Sequence, residues 1–313
     1  MSDPVLCNYA PPGEYIKDHT FIYHDGWWHL YSISGTRGYC HLYNGNEETI
    51  SWSISKNLVD WEFRGHVLHA SLRSDEFDSH EVWAPYVLQA DGRFYMFYTG
   101  VQHPSRPMCY ERLGHKNNNV NWDGHRETIG VAVSDDLSYW EKAADRRNGL
   151  SVPGRDPHVV YDDENERWLL YSTGGVVNGF FEEYVSVSED LLNWEYAGVC
   201  ARFPQEGFKY STSESMNVMR HPVNGKWIML GNWHYALSDN PLDFTKNEVR
   251  LLYGDSGNAA GFAGELLERN GRWYRSGVMG IVDHWVLGFH LIEWDTDGAF
   301  KIVEPSVVNW EFR

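Results

Sequence analysis

An all-β fold, a five-bladed β-propeller with each blade a three- to four-stranded antiparallel sheet, is predicted for this 313-residue chain by three observations. A hairpin unit recurs five times, every copy carries the same kind of aromatic second strand, and helical amphipathic periodicity is missing throughout. The repeat describes a propeller, and the missing helices exclude α/β barrels. Length alone would suggest about two domains. The repeat instead assigns residues 1–313 to one propeller.

Each unit opens with a short apolar strand and turns at Asp25-Gly26, Asp91-Gly92, Asp162 to Glu166, Asn224-Gly225 or Asn270-Gly271. Asp-Gly and Asn-Gly steps between apolar runs are strong hairpin signals because both residues tolerate positive φ. The second strands follow: Trp27 to Tyr31, Arg93 to Tyr98, Arg167 to Tyr171, Lys226 to Leu230 and Arg272 to Tyr274. Third strands end in a serine, a polar turn and an aromatic, as in Ser55 to Trp61, Ser134 to Trp140 and Ser188 to Trp194, with a weaker copy at Ser238 to Phe244. The serines and acids there read as turn chemistry and the tryptophans as blade core. One of the terminal segments, 1–12 or 300–313, is expected to close the ring.

A formal charge of −18 with no Lys/Arg cluster excludes a nucleic-acid partner, which would need a basic stripe. A small neutral or cationic ligand fits, and 15% aromatics suits sugar-facing surfaces. No run of ~18 apolar residues suggests a membrane span, and no basic n-region precedes an apolar run, so a cytoplasmic location is the expectation. Cys7, Cys40, Cys109 and Cys200 are too scattered for a disulfide framework and read as free thiols.

Counting back from each hairpin turn places Asp18, Ala84, Asp156, Glu214 and Ala263 at one register position of the first strands, the strands that line a propeller's channel. Three of the five are carboxylates, which repel each other in a small space. Facing carboxylates are the equipment of glycoside hydrolysis: one protonates the departing oxygen while another attacks or activates water. Crowding raises the pKa of one member, so that it can hold a proton near neutrality. Asp18, Asp156 and Glu214 are therefore the candidate catalytic residues.

At these residues the chain resembles the five-bladed propeller glycosidases, glycoside hydrolase families 32, 68 and 43 and their relatives. Arg155-Asp156-Pro157 is similar to the Arg-Asp-Pro motif of families 32 and 68, Phe97-Tyr98-Thr99-Gly100 to a Phe-Tyr-Thr-Gly motif, and Trp83-Ala84-Pro85 to family 43. Glu214-Ser215-Met216-Asn217-Val218 resembles the Glu-Cys-Pro-Asp-Leu segment of family 32, although Cys-Pro is absent. Tyr15 to Thr20 also departs from the family 32 opening motif, and no C-terminal β-sandwich is expected. The resemblance implies Asp18 as nucleophile (families 32 and 68) or as general base (inverting family 43). It further implies Asp156 as transition-state stabiliser, Glu214 as general acid and Arg155 as a holder of sugar hydroxyls.

Other candidates for substrate contact are Trp83, Trp233, His284 and Trp285, near strand ends or in loops, and His80 and Glu81 at a blade entrance. His19 and His158, directly after the two aspartates, should turn away from the channel and support it. No His-Glu-x-x-His or EF-hand pattern is present, so no cofactor is expected, while a structural calcium or sodium ion in the channel stays open. The loop from His103 to Asp123 could wall the pocket.

The leading expectation is a fructofuranosidase-like glycosidase that removes a terminal furanosyl unit from a small carbohydrate. A family 43-like inverting α-L-arabinofuranosidase or β-xylosidase is the first alternative; a propeller glycoside phosphorylase and a non-catalytic sugar-binding propeller are the others. Oligomeric state is not legible.

Overall fold

The hairpin steps set the frame. Asp25-Gly26, Asp91-Gly92 and Asn270-Gly271 have φ pairs of 48° and 81°, 50° and 76°, and 54° and 75°, the left-handed pairs of a two-residue hairpin turn. The turn at residues 221–226 is wider: His221 donates its backbone N–H to Lys226 O at 2.7 Å, and Gly225 donates to His221 O at 2.9 Å.

A computed structural model describes residues 8–39, 46–103, 125–205, 214–252, 261–281 and 284–303. Blade one holds β1 (Glu14–His24), β2 (Trp27–Thr36), β3 (Thr49–Ser55) and β4 (Glu62–His69). Blade two holds β5 (Glu81–Ala90), β6 (Arg93–Gln102), β7 (Arg126–Ser134) and β8 (Glu141–Lys142). Blade three holds β9 (Arg155–Asp162), β10 (Arg167–Val177), β11 (Phe180–Ser188) and β12 (Glu195–Pro204). Blade four holds β13 (Asn217–Arg220), β14 (Trp227–Leu230), β15 (His234–Ser238) and β16 (Arg250–Leu251). Blade five holds β17 (Leu266–Arg269), β18 (Arg272–Ile281), β19 (His284–Trp294) and β20 (Phe300–Ile302). Every sheet is an antiparallel meander in chain order, and no helix occurs among the described residues.

The core lies between blades. Five apolar clusters occupy the five junctions, for example Tyr31, Ile33 and Ile50 against Val87, Met96 and Trp140 for blades one and two. Ile16, Trp28 and Leu30 against Leu267, Leu287 and Phe289 join blade one to blade five. Each inner sheet is thus covered on both faces, so β6 reads as a continuous buried aromatic run, whereas the outer β4 mostly alternates. This double coverage accounts for the high aromatic content.

The serine turns behave as expected. Ser134 Oγ accepts the backbone N–H groups of Asp136 and Leu137 at 3.2 and 2.9 Å, and Ser188 repeats this with Asp190 and Leu191 at 3.2 and 3.0 Å. The following tryptophans, Trp61, Trp140 and Trp194, donate their indole N–H back to Leu58, Leu137 and Leu191.

Of the two terminal segments expected to close the ring, 300–313 supplies β20. The fifth sheet is completed by its own β20, and among the described residues the N-terminal segment contributes only a bridge between Tyr9 and Leu287. Among the described residues, side-chain packing joins blade five to blade one. Cys200 is a buried free thiol; Cys7, Cys40 and Cys109, and the loop after His103 up to residue 123, lie outside the described residues.

Candidate active site

The first strands lose their regular ladder at the channel. The β1 register shifts between Ile16 and His19, that of β5 between Trp83 and Tyr86, and β10 shifts opposite the start of β9. Such bulges re-aim a side chain. Ala84, Asp156, Ser215 and Ala263 there have φ of 43°, 55°, 57° and 47°. A left-handed non-glycine residue costs roughly 1–2 kcal/mol. Neighbouring side chains fix the conformation: Asp156 donates its N–H to Thr99 Oγ1 at 2.8 Å and Ala263 donates to Asn232 Oδ1 at 2.7 Å.

This shared conformation corrects the register by one residue in blade four. Ser215, not Glu214, stands where Ala84, Asp156 and Ala263 stand, and with Asp18 these residues border the narrow axial cavity. Glu214 belongs to the preceding position, with Lys17, Trp83, Arg155 and Phe262. Those five residues, one per blade, line a wider cavity of about 340 Å³, together with Asp18, Asp156, Ile33 and Glu127. The irregular segment before β13 hid the offset, because a count back from the turn assumes an unbroken strand.

All three candidate acids still reach that one cavity. Ser215 Oγ donates to Asp18 Oδ2 at 2.8 Å. Arg155 meets three carboxylates, Glu214 through Nη2 at 3.0 Å, Glu127 through Nη1 at 3.5 Å and Asp156 through Nε at 3.6 Å. The guanidinium expected to hold sugar hydroxyls is thus engaged with the acids. Asp156 is 7% exposed and Glu214 31%, so Glu214 is the more accessible carboxyl.

Burial pushes Asp156 well above the usual carboxylate range, with Arg155 opposing and Asp18 and Glu214 adding to the push. Burial also raises Asp18; Lys17 opposes, Glu214 adds, and the Ser215 hydrogen bond opposes. For Glu127 burial works against the charge, but the His125 hydrogen bond at 3.0 Å and Arg155 hold its carboxyl below the usual value.

Of the other expected contacts, only Trp83 and Arg155 line the cavity. Glu81 is buried at the start of β5, its carboxyl pushed far up by desolvation and by Glu47. His80 Nδ1 accepts the His103 N–H at 3.0 Å. The carbonyl of Trp233 accepts from Leu252 at 2.7 Å, and His284 is buried at the start of β19. Trp285 stands behind the wall, edge-on to Tyr15 at 5.1 Å. None of these five lines the cavity.

His158 turns into the blades as expected, whereas His19 also borders the axial cavity. His19 Nε2 reaches Ser276 Oγ at 2.8 Å and His158 Nε2 lies 3.0 Å from Val218 O, and burial lowers both pKa values to about 4. Sequence reasoning missed Lys17, Glu127 and Phe262. Lys17 was findable, since it precedes Asp18 as Arg155 precedes Asp156; Glu127, on a third strand, carried no signal. At the hairpin end of blade four, Arg220 bonds Glu164 and His221 Nε2 lies 3.0 Å from Gly298 O. Among the described residues no group of three His, Cys, Asp or Glu side chains is arranged to hold a metal ion.

Glu265, beside the axial cavity, gives a test of these electrostatics. Burial raises its pKa to about 8, with Arg275 and the Asn217 hydrogen bond opposing and Asp18 adding. The unfolded chain would release this proton near ~4.3, so between there and about 8 the folded state binds more protons and stability falls as pH rises. Glu265→Gln should therefore gain stability relative to the wild type as pH rises from about 5 to about 8 in denaturant titrations. A pH-independent difference would overturn the assignment.

Comparisons with known proteins place the chain in a family and a fold. The model of Glycosyl hydrolases family 43 matches residues 17–185. A probable sucrose-6-phosphate hydrolase of Psychromonas ingrahamii is 25% identical over 207 residues, 63% of this chain and 34% of that protein. An extracellular endo-alpha-(1->5)-L-arabinanase of Thermotoga petrophila is 28% identical over 153 residues, 42% of this chain and 24% of that one. The chain thus spans about a third or less of the length of these curated relatives. Among solved structures, a family 43 beta-xylosidase/alpha-arabinofuranosidase from a compost metagenome superposes with a TM-score of 0.66 at 15% identity, covering 94% of this chain and 96% of its own. A beta-fructofuranosidase of Bombyx mori gives 0.65 at 18% identity, covering 96% and 65%. These two show a shared fold. With more than half of its residues matched by the family model, the chain belongs to glycosyl hydrolases family 43.

Proposed function

We propose that this chain is an inverting glycosidase that removes a terminal furanosyl unit, with Asp18 as general base, Glu214 as general acid and Asp156 as the buried carboxyl that supports the transition state. The observation that carries this reading is the meeting of Asp18, Asp156 and Glu214 at one 340 Å³ cavity, near the small end of the ~300–1,000 Å³ range for ligand pockets. Asp18 takes a proton from a water whose oxygen bonds to the anomeric carbon. The glycosidic bond breaks on the opposite side, and Glu214 gives its proton to the departing oxygen. Inversion needs the Asp18 and Glu214 carboxyls ~6.5–9.5 Å apart in the complex, room for that water. Arg155, bonded to Glu214 and beside Asp156, holds the acid at the pocket while the sugar enters.

Arg155-Asp156-Pro157 and the sucrose-6-phosphate hydrolase relatives favour a fructofuranosyl unit; family 43 membership and the arabinanase relative favour an arabinofuranosyl one. A furanose ring is common to both. A β-xylosyl unit is the second reading, favoured by xylotriose in the first of the structural neighbours above. A panel of aryl furanosides, aryl pentopyranosides, sucrose, sucrose 6-phosphate and inulin decides, with NMR of the first anomer released. Furanosides should be cleaved at least ~10-fold faster than pentopyranosides, with inverted product. Turnover that requires added phosphate, or none on any member, would overturn the proposal.

A further inference from the structure

Four of the five positions around the pocket follow a rule, blade four with Glu214-Ser215 standing apart. Where the next residue is alanine, in blades two and five, the pocket residue is aromatic, Trp83 or Phe262; where it is an aspartate, in blades one and three, the pocket residue is a cation, Lys17 or Arg155. Each cation is tied to a carboxylate outside its own strand. Arg155 has Glu214 and Glu127, and Lys17 has Glu47, whose two oxygens lie 3.2 and 3.3 Å from Nζ.

Glu47 is built for this pairing. It is 1% exposed, has φ of 55°, and accepts the Tyr15 hydroxyl at 2.8 Å; its own carbonyl accepts the Val82 N–H at 3.1 Å. Tyr15 is in turn fixed by Asn46 Nδ2 at 3.2 Å, by the Trp285 edge and by Gly35, where any Cβ would collide with its ring. The ammonium lies 5.8 Å from the Trp83 ring and 6.0 Å from that of Trp285. An ion pair this buried contributes little net stability, since desolvation offsets the attraction, so the fold alone gives weak reason to keep it.

We infer that Lys17, held by Glu47, which Tyr15 fixes in turn, is a positioning residue for Asp18: a fixed positive charge lining the same pocket beside that carboxylate. The inference rests on the base role proposed above. The charged and titratable groups around Asp18 are Lys17 and His19 on β1, Glu47 before β3, Arg155 and Asp156 on β9, Glu214 before β13, and Glu265 and Arg275 of blade five. Four of these eight are acidic and oppose ionisation of Asp18, and Lys17 is the cation that chiefly counters them.

The test compares the wild type with Lys17→Met and Lys17→Arg. Without the charge Asp18 must titrate higher, so the acid limb of kcat/KM on the best aryl glycoside should move to higher pH. The wild-type-to-Lys17→Met ratio of kcat/KM should be at least ~10-fold larger at about pH 5 than at about pH 8, a shift of about one pKa unit, and Lys17→Arg should restore most of the limb. In parallel, the 13C-carboxyl titration of Asp18, assigned with Asp18→Asn, should move up in Lys17→Met. That readout needs no turnover, so it tests Lys17 even if the glycosidase reading fails. A folded variant losing activity equally at every pH, or an unmoved Asp18 titration, would overturn the inference. If Lys17→Met does not fold, Lys17→Gln, which keeps a donor for Glu47 without the charge, carries the same measurements.

Discussion

Asp18→Asn should lower kcat/KM by about 10³–10⁴-fold on every glycoside the wild type cleaves, the scale of losing a general base. The amide has the carboxylate's shape and still offers an oxygen to Ser215, whose hydroxyl lies 2.8 Å from Asp18 Oδ2. It cannot take a proton from water. The fold should tolerate the change, because it removes one of the acids that oppose each other here and leaves the β1 bulge intact. Thermal melts should show an unchanged or slightly raised Tm beside the lost turnover. A folded variant retaining more than about a tenth of the activity would remove Asp18 from the base role.

Glu214→Gln should show a loss that depends on the leaving group. A sugar or alkyl leaving group departs as an alkoxide unless it receives a proton, so the variant should fall by about 10²–10⁴-fold on such substrates. A dinitrophenyl group departs without protonation, and the loss there should shrink to about tenfold or less. The position of the side chain supports this division of labour: Glu214 is 31% exposed against 7% for Asp156, so the acid stands where an aglycone can leave. Equal losses on both substrate types would mean that Glu214 acts by holding Arg155, which it meets at 3.0 Å, and not as a proton donor. Steady-state kinetics on a matched pair of aryl and alkyl glycosides separates the two.

Much of the fold was readable before any coordinates, and the reason is local. An Asp-Gly or Asn-Gly step fixes a hairpin through its own φ values, and a Ser-x-Asp-Leu turn is closed by bonds spanning two or three residues. These devices act within one blade, so their sequence copies can be aligned by eye. The substrate-facing residues were less legible. Trp285 was a reasonable guess by type, yet its ring stands edge-on to Tyr15 and does not line the cavity. Composition cannot distinguish an indole that faces a sugar from one that faces a neighbouring blade.

The sequence by itself determined the five-fold hairpin repeat and the all-β architecture and pointed to three candidate acids, because turn chemistry and strand pattern are short-range. Only the tertiary structure decided that Glu214 stands one position off the register of Asp156, that Lys17 and Glu127 join the pocket, and that Arg155 is bound by carboxylates. Those facts depend on bulges and on contacts between separate blades, where residues far apart in the chain meet around one axis.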